Sequence, residues 1–295
     1  PYYGPDEDSQ TIFLERTFLA STVVQGIGVG AQLVLYIMCV RYLWRERERR
    51  GRVMLFLFGY VTLLLIFSAL WTAISTWTTE DIYINNRNYP GGPWIYFVTT
   101  QDLPENIMYL IVLFALTFLS DLLVLWRCWV IWISSSSSFL VYVVVMFPFL
   151  ILLASFALGL AWSLVSSLSD FPPYSKIPLA LGTSYYVTSL TVNIVITILI
   201  ILRLALHRRA ILQALSPDYA KQYLSLAAII VESAALYSVF ALAFIISYAF
   251  GNPINQIILP LASSSQQIAG YLIILRVAQG RAWSASVLEV TTETT

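Results

Sequence analysis

The sequence is poor in almost every side chain that does chemistry in water. Charged residues make up 11% of it against 59% hydrophobic, which excludes a globule with a solvated, charged surface. Histidine occurs once, as His207, in a basic loop beside Arg208 and Arg209. A zinc hydrolase built at membrane depth needs several histidine ligands, and a Ser–His dyad needs one there, so both classes are excluded. Lysine occurs only as Lys176 and Lys221, both in or beside loops. Neither can hold retinal as a Schiff base in the last span. The cysteines, Cys39 and Cys128, fall near span ends expected to meet a reducing cytoplasm, so no disulfide is expected. There is no Asn-x-Ser/Thr acceptor for an N-glycan, no glycine-rich phosphate loop and no dinucleotide fingerprint. No catalytic residue, metal site or cofactor is expected, and the chain reads as a non-enzyme.

What the sequence does have is seven long apolar runs: 18–40, 53–77, 106–127, 139–165, 179–202, 224–250 and 257–275. A helix crosses the hydrocarbon core with about 20 mostly apolar residues. The expected fold is therefore all-α, an integral membrane bundle of seven transmembrane helices. Thirteen of the 16 Lys and Arg lie in alternate gaps and the C-terminal end, including Arg41, Arg45, Arg52, Arg127, Arg203 and Arg276. Only Arg16, Arg87 and Lys176 lie on the other side. Short basic loops stay cytoplasmic, which predicts the N-terminus outside and the C-terminus inside. Residues 1–17 are an extracellular segment on this reading, 18–275 the bundle, and 276–295 a cytoplasmic segment. The chain opens at Pro1 rather than Met, so further residues are expected at both ends. No internal repeat is found, which weakens an inverted-repeat transporter. Membrane lipids are the expected surroundings, with the Arg41–Arg52 cluster touching anionic inner-leaflet headgroups. Nucleic-acid binding has no support.

The gaps differ in character. The outer gap after the second span carries Tyr89, Pro90, Gly91, Gly92, Pro93 and Trp94, and the next outer gap Pro172, Pro173 and Tyr174. Pro and Gly there predict turns. Trp94, Tyr89 and Tyr174 suit an interfacial aromatic belt or a lid over an outward-facing pocket. The inner gap at 134–138 is five serines, read as a flexible polar turn.

Ionisable groups at membrane depth are costly and usually face the bundle interior with a partner. Asp121 lies in the third span, six residues before Arg127, and Glu232 lies in the sixth. Six residues on a helix leave Asp121 and Arg127 about 120° apart, so each should pair across helices. Both carboxylates are expected to face inward, with Arg127 a preferred partner, as a clamp, a switch or a proton path. Gln32, Asn193, Gln266 and Gln267 form a polar layer near mid-membrane, as interhelical glue or a cavity lining. The Gly26-Ile27-Gly28-Val29-Gly30 run allows close helix contact, within the bundle or in a homo-oligomer.

Three stretches carry a resemblance. They are Asp121 to Trp132 (DLLVLWRCWVIW), Val231 to Tyr237 (VESAALY) and Leu275 to Trp283 (LRVAQGRAW). Together they resemble a family of seven-helix, receptor-like membrane proteins of basidiomycete (mushroom-forming) fungi. The Asp-Arg-Tyr, Cys-Trp-x-Pro and Asn-Pro-x-x-Tyr motifs of rhodopsin-like receptors are missing. A heterotrimeric G protein is therefore a partner by architectural analogy alone.

The reading is a receptor-like protein of the plasma membrane, sensing an extracellular or lipid ligand and signalling through its cytoplasmic loops. A transporter or channel using Asp121 and Glu232 is the alternative, and an oligomeric membrane scaffold a third.

Overall fold

The computed structural model describes residues 7–50, 52–133, 138–168, 175–212 and 217–293, with side chains left out at 46–50, 52, 138–140, 204, 207–212, 217–230 and 276–293. Among these residues it is all-helical: α1 (Ser9–Arg50), α2 (Arg52–Glu80), α3 (Pro93–Thr99), α4 (Pro104–Ile133), α5 (Ser138–Ser166), α6 (Lys176–Leu212), α7 (Pro217–Ala249) and α8 (Asn255–Glu293). Seven of them, all except α3, are long and apolar enough to cross a membrane. The chain is an integral membrane protein of seven such helices. The serine turn, the loop with Pro172, Pro173 and Tyr174, and the side chains of Lys221 and the Arg276–Trp283 stretch lie outside the described residues.

The bundle is a ring. Each long helix packs on its sequence neighbour, α1 closes the ring against α8, and α4 sits most centrally, touching α2, α5, α6 and α8. Its polarity is inverted relative to a water-soluble protein. Val23, Ile27 and Phe250 are 62%, 69% and 84% exposed, in a belt of outward apolar side chains that lipid would cover. Gln25, Gln32, Ser120, Asp121, Arg127, Asn193, Gln266 and Gln267 are buried. Hydrocarbon offers no hydrogen bonds, so polar side chains turn inward and find partners there.

Close approach is arranged locally. A methyl group on Gly28 would overlap Ser264 of α8, so this glycine lets α1 and α8 meet. Gly26 and Gly30 face open space on the outer surface. The glycine run thus works inside the bundle at its middle position only. At the end that carries the arginines of α1, α4 and α6, Arg203 lies over the Trp132 ring, 5.1 Å from its centroid, tying α6 to α4.

The opposite end holds a feature that the sequence reading missed. Residues there form a π-helical turn, Asp81–Asn85, followed by the short helix α3. Gly92 caps α3 at φ 92°, a conformation costly for other residues, and Pro93 opens it with its fixed φ. Asp81 anchors the pair, accepting hydrogen bonds from Tyr96 (2.7 Å), Asn85 (3.1 Å) and Asn86 (3.2 Å). Burial, and then this bond to Asp81, push the Tyr96 hydroxyl up to about 12.

Candidate functional site

Asp121 is the hub of the interior. Its helix, α4, touches α2, α5, α6 and α8, and the side chain is 1% exposed. Ser189 Oγ donates to Oδ2 at 2.7 Å; Asn193 Nδ2 and Gln266 Nε2 each donate to Oδ1 at 2.6 Å. Ser189 and Asn193 lie four apart on α6 and so share a face. Asn193 is further braced by bonding the Ser189 carbonyl at 3.1 Å. Hydrogen bonds to a charged group contribute roughly 1.5–3 kcal/mol each. Three of them offset much of a burial penalty of several kcal/mol. The hub joins α4, α6 and α8, and among the described residues no ion pair reaches it.

The expected trio does not assemble. Arg127 is buried, but its Nη2 donates to the Gly270 carbonyl of α8 at 2.5 Å rather than to a carboxylate. Its Nε and Nη1 are buried with no acceptor. Glu232 corrects the reading further, because its side chain is exposed on the outward face of α7. The inward stripe of α7 is Ser233, Tyr237 and Ala241, spaced four apart, which turns residue 232 about 100° away.

Gln32, Asn193, Gln266 and Gln267 are all buried. Asn193 and Gln266 serve Asp121, while Gln267 donates to Ser263 Oγ at 3.1 Å. Ser189 was missed. Its only signal is its position one turn before Asn193.

Among the described residues, cavities lie between the helices. One, about 130 Å³, sits under α3. Phe18, Trp94, Tyr109, Trp162, Tyr186 and Phe244 form much of its wall. Trp94 is buried and roofs it, packing on Phe18 and Phe97. Tyr89 is exposed beside it, its ring 5.3 Å from that of Tyr96. Tyr174 lies outside the described residues. Among the described residues no carboxylate or cation lines this cavity, but Thr78 Oγ1, Trp162 Nε1, Ser166 Oγ and Tyr186 OH do so as buried polar groups without partners. A second cavity, about 20 Å³, lies below and shares Tyr186 and Phe244 with the first. A third, about 40 Å³, shares Tyr237 and Gln266 with the second and is bounded by Arg127. Gln266 therefore borders two cavities while bonding Asp121.

Comparison of the chain with protein-family models, with curated proteins and with solved structures finds no match.

Proposed function

We propose that the protein is a seven-helix receptor of the plasma membrane, with the α3 end outside and the arginine-rich end in the cytoplasm. The observation that carries this reading is the roofed, aromatic cavity under α3, whose wall, among the described residues, holds four unpartnered polar groups and no charge. Ligand sites are concave and mostly apolar, with a few polar groups that fix orientation. The ligand it fits is small and uncharged, with a flat or alicyclic body and an oxygen that can pair with Trp162 or the hydroxyls. Seated there, it would press on Tyr186 and Phe244, the boundary with the cavity beneath. Gln266 lines that lower cavity and bonds Asp121, so α7 and α8 could repack against α4 and α6. The ligand would bias that equilibrium only through its different affinity for the two packings. The basic bias of the loops supports the orientation.

The runner-up is a transporter, favoured by a succession of three cavities that share wall residues. Glu232, exposed on α7, lines none of them.

The test is thermal unfolding of the purified protein in nanodiscs with benzyl alcohol or cyclohexanone, against benzoate and benzylammonium. The neutral pair should shift unfolding saturably in the wild type and not in Ser166→Leu, which fills the cavity. An equal response in that variant, or Asp121-dependent proton flux in proteoliposomes, would overturn the receptor reading.

A further inference from the structure

We infer that the cavity at the arginine-rich half of the bundle is a binding site for a small monovalent anion of chloride size, held by Arg127. The inference does not depend on the receptor reading. A guanidinium carries five N–H donors and is charged at any relevant pH. Here one described acceptor, the Gly270 carbonyl, takes a bond from Nη2. Nε and Nη1 are buried without a partner, in a side chain 4% exposed that borders the cavity. A buried charge left unpaired costs several kcal/mol, so the site calls for a negative partner.

Among the described residues the protein does not supply one there. Asp121 has both oxygens engaged by Ser189, Asn193 and Gln266. Glu232 points outward. The space beside Arg127, about 40 Å³, exceeds the roughly 10–15 Å³ that one water needs. It suits a monatomic ion with a water and is too small for a lipid headgroup. Ser233 and Tyr237 bring hydroxyls to the same wall, and both can donate to an anion. A cation is disfavoured beside the guanidinium. An anion seated on Arg127 would connect α4, α7 and α8 and hold the closed packing of this end.

The test uses the intact protein in nanodiscs at constant ionic strength, with gluconate replaced stepwise by chloride, bromide or sulfate. Chloride and bromide should raise the unfolding temperature saturably by a few degrees, and sulfate should not. Arg127→Gln should lose the halide response. Should that variant fail to fold, Ser233→Leu, which fills the cavity while keeping Arg127, should lose it too. Equal unfolding in all three salts, or a halide response that survives Ser233→Leu, would overturn the proposal. Stabilisation by sulfate alone would also overturn it and would assign the guanidinium to an oxyanion such as a lipid phosphate.

Discussion

Tyr186 and Phe244 meet edge to face, with ring centroids 4.6 Å apart and planes at 80°. The pair forms the floor of the large cavity under α3 and the ceiling of the small one below it. It joins α6 to α7, the helix that packs chiefly on α6 and α8. Phe244 is 3% exposed, so its ring is part of the core as well as of the boundary. Phe244→Ala should merge the two cavities and cost about 3–5 kcal/mol, the range for deleting a buried phenyl ring. Thermal unfolding in nanodiscs reads the loss. A cost below about 1 kcal/mol would mean that the ring is not buried as described.

The Asp121 hub makes a graded prediction. Ser189→Ala removes one bond to the carboxylate and should cost roughly 1.5–3 kcal/mol. Asp121→Leu leaves Ser189, Asn193 and Gln266 without their shared acceptor, at about 1–3 kcal/mol for each buried group, and should cost more. Unfolding measured on both variants checks the order. The reverse order would show that the carboxylate, not its donors, is the burden.

Glu232→Gln should change little. The side chain is exposed and forms no described bond, so the effect on stability should stay within about 0.5 kcal/mol. Labelling of a cysteine placed at Val231 should also be unchanged. A loss of several kcal/mol would return Glu232 to the interior.

The roof helix should respond to pH. Glu7 rests against Gly92, where an added methyl group would overlap its carboxylate. Burial, and then the neighbouring Asp8, raise the Glu7 carboxyl above its ordinary value. The folded chain therefore holds that proton more tightly than an unfolded one. The closed roof gains stability at low pH and loses it as pH rises through the raised folded value. A fluorophore on a cysteine replacing the exposed Tyr89 should report a looser roof at the higher pH, and Glu7→Gln should flatten the profile. A roof that loosens on acidification instead would contradict the assignment.

Much of this was legible in the sequence, and the failures inside the bundle share one cause. Apolar length alone located the seven helices, because hydrocarbon thickness leaves little choice. Depth alone placed Asp121, Gln32, Asn193, Gln266 and Gln267 in the interior. Depth does not give rotation, and Glu232 was misplaced for that reason. The stripe of Ser233, Tyr237 and Ala241 carried the rotational signal. The partner of Asp121 was misread because pairing across helices depends on which faces meet, and Ser189 carries no charge to mark it. The roof helix was read as turns from its Pro and Gly. Gly92 and Pro93 are instead the cap and the first residue of α3.

The central claim is that a ligand under α3 changes the packing at the arginine-rich end. The direct measurement is the distance between spin labels at Trp129 of α4 and Val231 of α7, both exposed near that end. Native Cys39 and Cys128 are buried and free, so the introduced sites take the label. Saturating benzyl alcohol in nanodiscs should shift the distance distribution in the wild-type background and leave it unchanged with Ser166→Leu. An unchanged distribution, in a sample whose thermal unfolding shows the probe bound, would contradict the account.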